Sequence, residues 1–276
     1  MKELTDDHLA ELIENGFVIV EKFFDEEDCK RGVEEMHKVL KPWSEVKDDP
    51  PENLCTFTTW PGPSLWINRF AITNDTFVAF AKKYLQTEHI HLRSGTPFVR
   101  YPGCTHFTGD GSIHIDNINN SLLPECNDHI FGQIGFWSHL EDVGLDNAPL
   151  HLWPHSEKNR TLENATKLNV PAGSIGIFTN YTWHSASVFT GTDGQRYIWG
   201  GSFGRADHVW EGFKHYTDLG NVPTFIELVC SLTPTQREML RFPAPGHRYY
   251  TKESLVKLEE RYPGFDESGE YAKNIQ

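Results

Sequence analysis

In the stretch SIHIDNIN, residues 112–119, a histidine and an aspartate stand two apart, His114 and Asp116. Residues i and i+2 of a strand point to one side, so the pair offers an imidazole and a carboxylate to one point in space. A metal site needs a third ligand, and His184, 70 residues further on in NYTWHSAS, is the best placed. Two histidines and one carboxylate make a facial set that suits Fe(II) and leaves positions open, enough for a bidentate 2-oxo acid and dioxygen. A cosubstrate such as 2-oxoglutarate also carries a far carboxylate, for which a guanidinium fork is the best partner in a dry pocket. Arg196 supplies one. His184 and Arg196 are separated by the turn GTDG, a strand-turn-strand order that predicts a hairpin returning Arg196 to the depth of His184. The competing reading is an ordinary strand with two polar residues on its wet face.

The same His-x-acid pattern recurs at His139/Glu141 and His155/Glu157. Ligands on facing strands of a closed antiparallel fold need several strands between them. The interval from His114 to His184 allows this, the 45 residues from His139 are tighter, and His155 sits beside Pro154 in a predicted turn.

The elements that must position these residues follow from pattern. Thr5 predicts an N-cap, Asp6 and Asp7 favour the positive end of a helix, Leu9, Leu12 and Ile13 form its apolar stripe, and Gly16 ends it. FVIVEKFF predicts a strand, and Asp25 caps a second helix through about Leu40. The Pro-rich KPWSEVKDDPPENL then predicts a surface loop, and CTFTTWPGPSLWINRF a packed loop rather than a lid. From about Ile90 to Phe203, short apolar or alternating runs are separated by Gly, Asn, Asp and Pro, which predicts an antiparallel sandwich or barrel. Thr233, Pro234 and Gln236 make a capping-box start for PTQREMLRF, and Thr251 starts KESLVKLEERY. With no repeat, low-complexity tract or linker, residues 1–276 are expected to form one domain, a β core at about 90–205 with helical flanks.

Composition narrows the function classes. At 276 residues and 38% hydrophobic content the chain can bury a core. It has no run of about 20 apolar residues, and its opening MKELTDDHLAELIENG lacks the pattern of a secretion signal. Five scattered cysteines without a C-x-x-C pair indicate neither a disulfide framework nor a thiolate zinc site. The expectation is a soluble protein of a reducing cytosol. A net charge of −14 disfavours nucleic acid and anionic membranes as partners and points to a small-molecule substrate; it also makes a large polyanion such as a CoA thioester less attractive. Nor is KNIQ at the C-terminus a peroxisomal address. Oligomeric state is not legible.

The order of features resembles the phytanoyl-CoA dioxygenase family of non-haem iron(II), 2-oxoglutarate-dependent oxygenases. GFVIVEKFFDEED resembles that family's entry strand and helix start, HID its His-x-Asp, DNAPLHLWPHSE the stretch that usually runs N-G-x-L then P-G-S-H, and VPAGSIGIF its Pro-x-Gly lead. The resemblance implies a double-stranded β-helix, a cupin-like jelly roll, mainly β with flanking α-helices. It makes His114, Asp116 and His184 the iron ligands and catalytic residues, Arg196 the holder of 2-oxoglutarate, and Trp137 a wall of the cosubstrate pocket. The implied activity is O2-dependent hydroxylation of a C–H bond with release of succinate and CO2. Asp116 argues against halogenation, since a carboxylate fills the site that a halide would need. The chain departs from the family at Ile115, where a polar residue is common, and at His155, where glycine is usual. Asn117, Trp153, His155 and Arg100 are the candidate substrate residues, each with a plainer reading as surface, core or salt-bridge residue. Two other functions stay open: a cupin-like metal enzyme without 2-oxoglutarate, and a non-enzymatic ligand-binding jelly roll.

Overall fold

A computed structural model describes residues 1–58, 60–116, 129–207, 223–240, 242–247 and 250–275. The chain enters through α1 (Asp6–Asn15), where Thr5 and His8 form a capping box and Gly16 closes the helix in the left-handed region at φ 84°. β1 (Phe17–Val20) follows directly. The strand expected through Phe24 stops early because Lys22 turns with φ 49°, which sends Phe23 and Phe24 into the core. α2 (Glu26–His37) starts where expected, with the Asp25 side chain accepting from the Asp28 N–H.

The Pro-rich passage, expected as a loop, contains a single turn of helix, α3 (Trp43–Val46). The aromatic stretch after it is packed, as expected, but around regular elements: β2 (Cys55–Phe57) and α4 (Leu65–Ala71), with Trp60 buried between them in sequence. Gly62 lies against the Trp199 indole so closely that a Cβ there would stand 2.0 Å from it. α5 (Asp75–Leu85) completes the N-terminal layer.

The remaining strands are β3 (Ile90–Arg100), β4 (Ile134–His139), β5 (His151–Trp153), β6 (Thr166–Lys167), β7 (Ser174–Thr179), β8 (Trp183–Ser185) and β9 (Arg196–Arg205). They form two antiparallel sheets, a larger one in the order β1-β7-β4-β9-β3-β2 and a smaller one in the order β6-β5-β8. The C-terminal helices are α6 (Pro223–Ser231), α7 (Pro234–Glu238), α8 (Lys252–Arg261) and α9 (Glu270–Lys273). Thr233 and Thr251 cap α7 and α8 as predicted, although α7 ends at Glu238, short of Phe242. Among the described residues no helix is long and apolar enough to cross a membrane.

Strand alternation gives the larger sheet two different faces. Phe136, Tyr197, Trp199 and Phe203 join the helical layer, where Phe77 of α5 stacks on Phe136 at 4.3 Å between centroids. The opposite face meets the smaller sheet. There Phe17 and Phe178 pack with Leu150, Leu152 and Leu168, while Phe98 and Ile198 pack with Ala148 and Phe189. Each of these Phe, Leu and Ile side chains removed from water stabilises the fold by roughly 1.5–3 kcal/mol. Two facing antiparallel sheets with helices on the outside make a double-stranded β-helix, in agreement with the expected mainly β, cupin-like jelly roll.

One expectation fails. β8 and β9 do not form a hairpin, because β8 pairs with β5 in the smaller sheet and β9 with β3 and β4 in the larger. The ten residues between them cross from one sheet to the other.

Candidate metal centre

His114 and His184 face each other in an isolated antiparallel bridge. The His114 N–H donates to the His184 carbonyl at 3.0 Å and the His184 N–H to the His114 carbonyl at 2.9 Å. Directly opposite residues of such a pair carry their side chains on one face. The two imidazoles accordingly stand together, 4.3 Å between centroids. Asp116 follows in a turn and brings its Oδ1 to 3.7 Å from His114 Nε2 and 3.8 Å from His184 Nε2. The predicted i, i+2 convergence therefore exists, carried by a short bridge rather than a long strand.

The hydrogen bonds behind the rings decide which nitrogens face inward. His114 Nδ1 lies 2.6 Å from the Ser112 carbonyl and His184 Nδ1 2.9 Å from the Thr182 carbonyl. A carbonyl only accepts, so each Nδ1 carries the proton and donates, and each Nε2 turns a lone pair toward Asp116. One ligand atom from each of the three residues lies within 4.8 Å of the others. Burial of His184 lowers its pKa, against the opposing pull of the Asp116 carboxylate, which favours the neutral imidazole that a metal requires. Two imidazoles held by backbone carbonyls and one carboxyl group fit the facial set that holds Fe(II).

Asp116 also lines a cavity of about 430 Å³. Phe57, Phe98, Trp137 and Phe178 form its aromatic wall, Gly135, Gly200 and Gly201 its bare backbone, and Arg93, Gln133, Thr179, Asn180 and Ser202 its polar side. Trp137 lies flat against β9 because Gly200 has no side chain: a Cβ there would come within 3.1 Å of the indole. The rings run in sequence from Phe98 to Trp137 at 5.5 Å, to Phe178 at 5.1 Å and to His184 at 5.6 Å.

Arg196 does not line this cavity. Its guanidinium stands 5.9 Å from the Phe98 ring, fully buried, and donates to the Ala148 carbonyl while Nε has no partner. Burial, and then the like charge of Arg100, push its pKa down to about 9, which leaves it a cation at neutral pH. His139 shares that face of the sheet, and burial followed by the Arg196 charge lowers its pKa to about 3. A buried guanidinium with unspent donors fits the far carboxylate of a 2-oxo diacid.

The other expected substrate residues are not brought to the triad. Arg100 is buried, donating to the His106 carbonyl at 2.8 Å and to Cys104 Sγ at 3.4 Å. Trp153 is fully buried in β5 and donates to the Thr161 carbonyl at 2.9 Å. His155 lines a different cavity, with Tyr84, His129 and Arg160. Asn117 lies outside the described residues. Arg93, Asn180, Gln133 and Ser202 line the cavity beside Asp116 without any mark in their local sequence: Asn180 follows a strand like many turn residues, and Arg93 is one charge in an otherwise ordinary strand.

The fold is similar to several solved structures. Against the non-heme alpha ketoglutarate dependent carbocyclase SnoK from nogalamycin biosynthesis the TM-score is 0.58 at 15% identity, covering 79% of this chain and 91% of that one. HygX from Streptomyces hygroscopicus, solved with nickel and 2-oxoglutarate bound, gives 0.55 at 14% identity, covering 74% and 88%. The epimerase SnoN, in complex with Fe3+, alpha ketoglutarate and nogalamycin RO, gives 0.51 at 13% identity, covering 79% and 90%. No curated protein matches at the sequence level. These likenesses concern fold. Sequence carries the rest, because the model of the phytanoyl-CoA dioxygenase (PhyH) family matches residues 12–196, a span that runs from α1 through all three triad residues to the buried arginine, and the chain belongs to that family.

Proposed function

We infer that this protein is an iron(II)- and 2-oxoglutarate-dependent oxygenase that hydroxylates a C–H bond of a small molecule. The observation that carries this reading is the convergence of His114 Nε2, His184 Nε2 and an Asp116 oxygen, with both Nδ1 atoms tied to backbone carbonyls, in a chain of this family. Iron(II) with 2-oxoglutarate and dioxygen supplies oxidative decarboxylation to succinate and CO2, coupled to oxidation of a substrate C–H bond.

The chain's own residues hold and orient. His114, His184 and Asp116 would hold the ion, and the carbonyls of Ser112 and Thr182 keep the imidazoles aimed. Arg196, a cation at neutral pH in a dry site, would hold the far carboxylate of the cosubstrate. Trp137, Phe98 and Phe178 form an apolar wall that excludes water from the reacting centre. Asp116 would fill the ligand position that a halide would need, which favours hydroxyl transfer over halogenation. The full chain, 1–276, acts as one domain around the β core, and a reducing cytosol suits the free thiols of Cys29, Cys55, Cys104 and Cys230.

One observation favours a second reading, a metal enzyme that uses the triad without a cosubstrate: Arg196 is not on the cavity wall. The discriminating experiment is succinate formation from 2-oxoglutarate by the Fe(II)-loaded protein in air. Succinate that requires Fe(II) and stops on chelation supports the oxygenase. Metal-dependent activity on a substrate without succinate would favour the second reading.

A further inference from the structure

We propose that Cys55 and Cys104 are a modification site, a thiol pair that hydrogen peroxide closes to a reversible disulfide, and that closing it strengthens the hold of the neighbouring Arg196 on the far carboxylate of 2-oxoglutarate. The disulfide stands without the oxygenase reading above, and the effect on the cosubstrate rests on it.

Strand register puts the participants side by side. Cys55 of β2 lies opposite Arg100 of β3, and Arg100 lies opposite Arg196 of β9. Residues opposite each other on adjacent strands share a face, so one thiol and two guanidiniums line up on one side of the sheet. The turn after β3 brings Cys104 to them: its N–H donates to the Tyr101 carbonyl at 3.1 Å, and its carbonyl accepts from the Phe189 N–H at 3.0 Å. Both cysteines pack in one apolar cluster with Phe98, Ala148 and Ile198.

Three donors converge on the Cys104 sulfur: the Cys55 thiol, the His106 backbone N–H and Arg100 Nη1, the last at 3.4 Å. Among the described residues no carboxylate pairs with Arg100 or Arg196, although both are buried. Buried charges are costly without a counter-ion, and this sulfur is placed to supply one. The Cys55 hydrogen bond first, and then the His106 N–H and the Arg100 charge, hold the Cys104 thiol below its ordinary range against the effect of burial. Cys29 is the contrast, since burial and then Asp25 push its thiol up to about 11.

A thiolate in contact with a thiol has the chemistry of a disulfide couple. The Cys104 sulfur attacks one oxygen of hydrogen peroxide, the O–O bond breaks, the other oxygen leaves as hydroxide and takes up a proton, and a sulfenic acid remains. The Cys55 sulfur then attacks that sulfur. The S–S bond forms, the S–O bond breaks, and the hydroxyl leaves with the Cys55 proton as water. Two electrons pass from the sulfurs to the peroxide, and dithiothreitol returns them. Each cysteine is at most 1% exposed, which limits the oxidant to one as small as hydrogen peroxide. Closing the bridge removes negative charge that acts on Arg196, so its field draws a carboxylate more strongly.

The test treats the reduced full chain with hydrogen peroxide and digests it so that Cys104 and Cys126 fall in separate peptides. We expect mass spectrometry to find Cys55 bridged to Cys104 before Cys29 or Cys230 is oxidised, and dithiothreitol to reverse it. In C55S, dimedone should trap a sulfenic acid at Cys104; in C104S, Cys55 should remain a thiol. No bridge, a bridge from either residue to another cysteine, or earlier oxidation of Cys29 or Cys230 would overturn the modification site. Binding of 2-oxoglutarate is then measured by calorimetry on the Ni(II)-loaded protein. The oxidised form should bind it severalfold more tightly than the reduced form, and reduced C104S should already bind it as the oxidised wild type does. Equal or weaker binding after oxidation would overturn the effect on Arg196. A Ni(II)-loaded protein that forms the bridge but binds no 2-oxoglutarate in either state would sink the oxygenase reading and the effect resting on it, and leave the disulfide site in place.

Discussion

A histidine whose Nδ1 donates to a carbonyl has only one nitrogen left for a metal, and at this centre that condition holds twice, through Ser112 and Thr182. The carboxylate between them is the group whose loss is most informative. Replacing partners that merely orient a metal ligand costs about 10- to 100-fold, so D116A should lower succinate formation by more than about 100-fold, read alongside its iron content. R196A should act differently. A charge-assisted hydrogen bond is worth about 1.5–3 kcal/mol, which corresponds to roughly a 10- to 100-fold rise in the 2-oxoglutarate needed for half-maximal turnover, with a smaller change in maximal rate. The His114/Asp116 spacing was legible because i, i+2 convergence is a local property of extended backbone. Arg93 and Asn180 were not, since their common cavity joins β3 to the end of β7, which sequence spacing does not specify.

At the scale of elements, capping and turn chemistry were legible because each signal spans only a few residues. Thr5, Asp25, Thr233 and Thr251 all cap as their neighbours predict. The connection from β8 to β9 was misread for a physical reason. Strand, turn, strand is the same local pattern whether the second strand pairs with the first or crosses to the facing sheet, and the choice is made by long-range burial. α5 lies in a stretch for which no element was expected, and its buried residues Phe77, Val78, Phe80, Ala81, Tyr84 and Leu85 cover much of its surface instead of one narrow stripe. The turn into β7 offers a sharp test of local geometry. Gly173 has φ 82°, and a Cβ there would stand 2.5 Å from the Phe24 carbonyl oxygen. G173A should therefore lower stability by about 2 kcal/mol or more, measured as a shift of the urea midpoint with an unchanged slope. A midpoint equal to that of the wild type would mean that the close approach of β7 to the Phe24 turn is wrong.

Across the whole molecule, the space between the two sheets holds apolar clusters on either side of a small set of buried polar groups, and those groups make stability depend on pH. His139 is fully buried, with its pKa lowered to about 3 from an ordinary 6.5. Between those two values the unfolded chain binds more protons than the folded one, so stability rises with pH across that window. The contribution is fully present above about pH 6.5 and is lost progressively as pH falls toward 3. Urea unfolding from pH 7.5 to 5 should show this decline, and H139Q should flatten it; parallel profiles would remove His139 as its source. The central claim concerns the triad itself. Its most direct test is an anaerobic titration of the Fe(II)-loaded protein with 2-oxoglutarate, following the weak metal-to-ligand charge-transfer band in the visible. The account predicts a saturable band for the wild type and none for H184A. A folded, iron-loaded wild-type protein that develops no band, or an H184A protein that develops the same one, would contradict it.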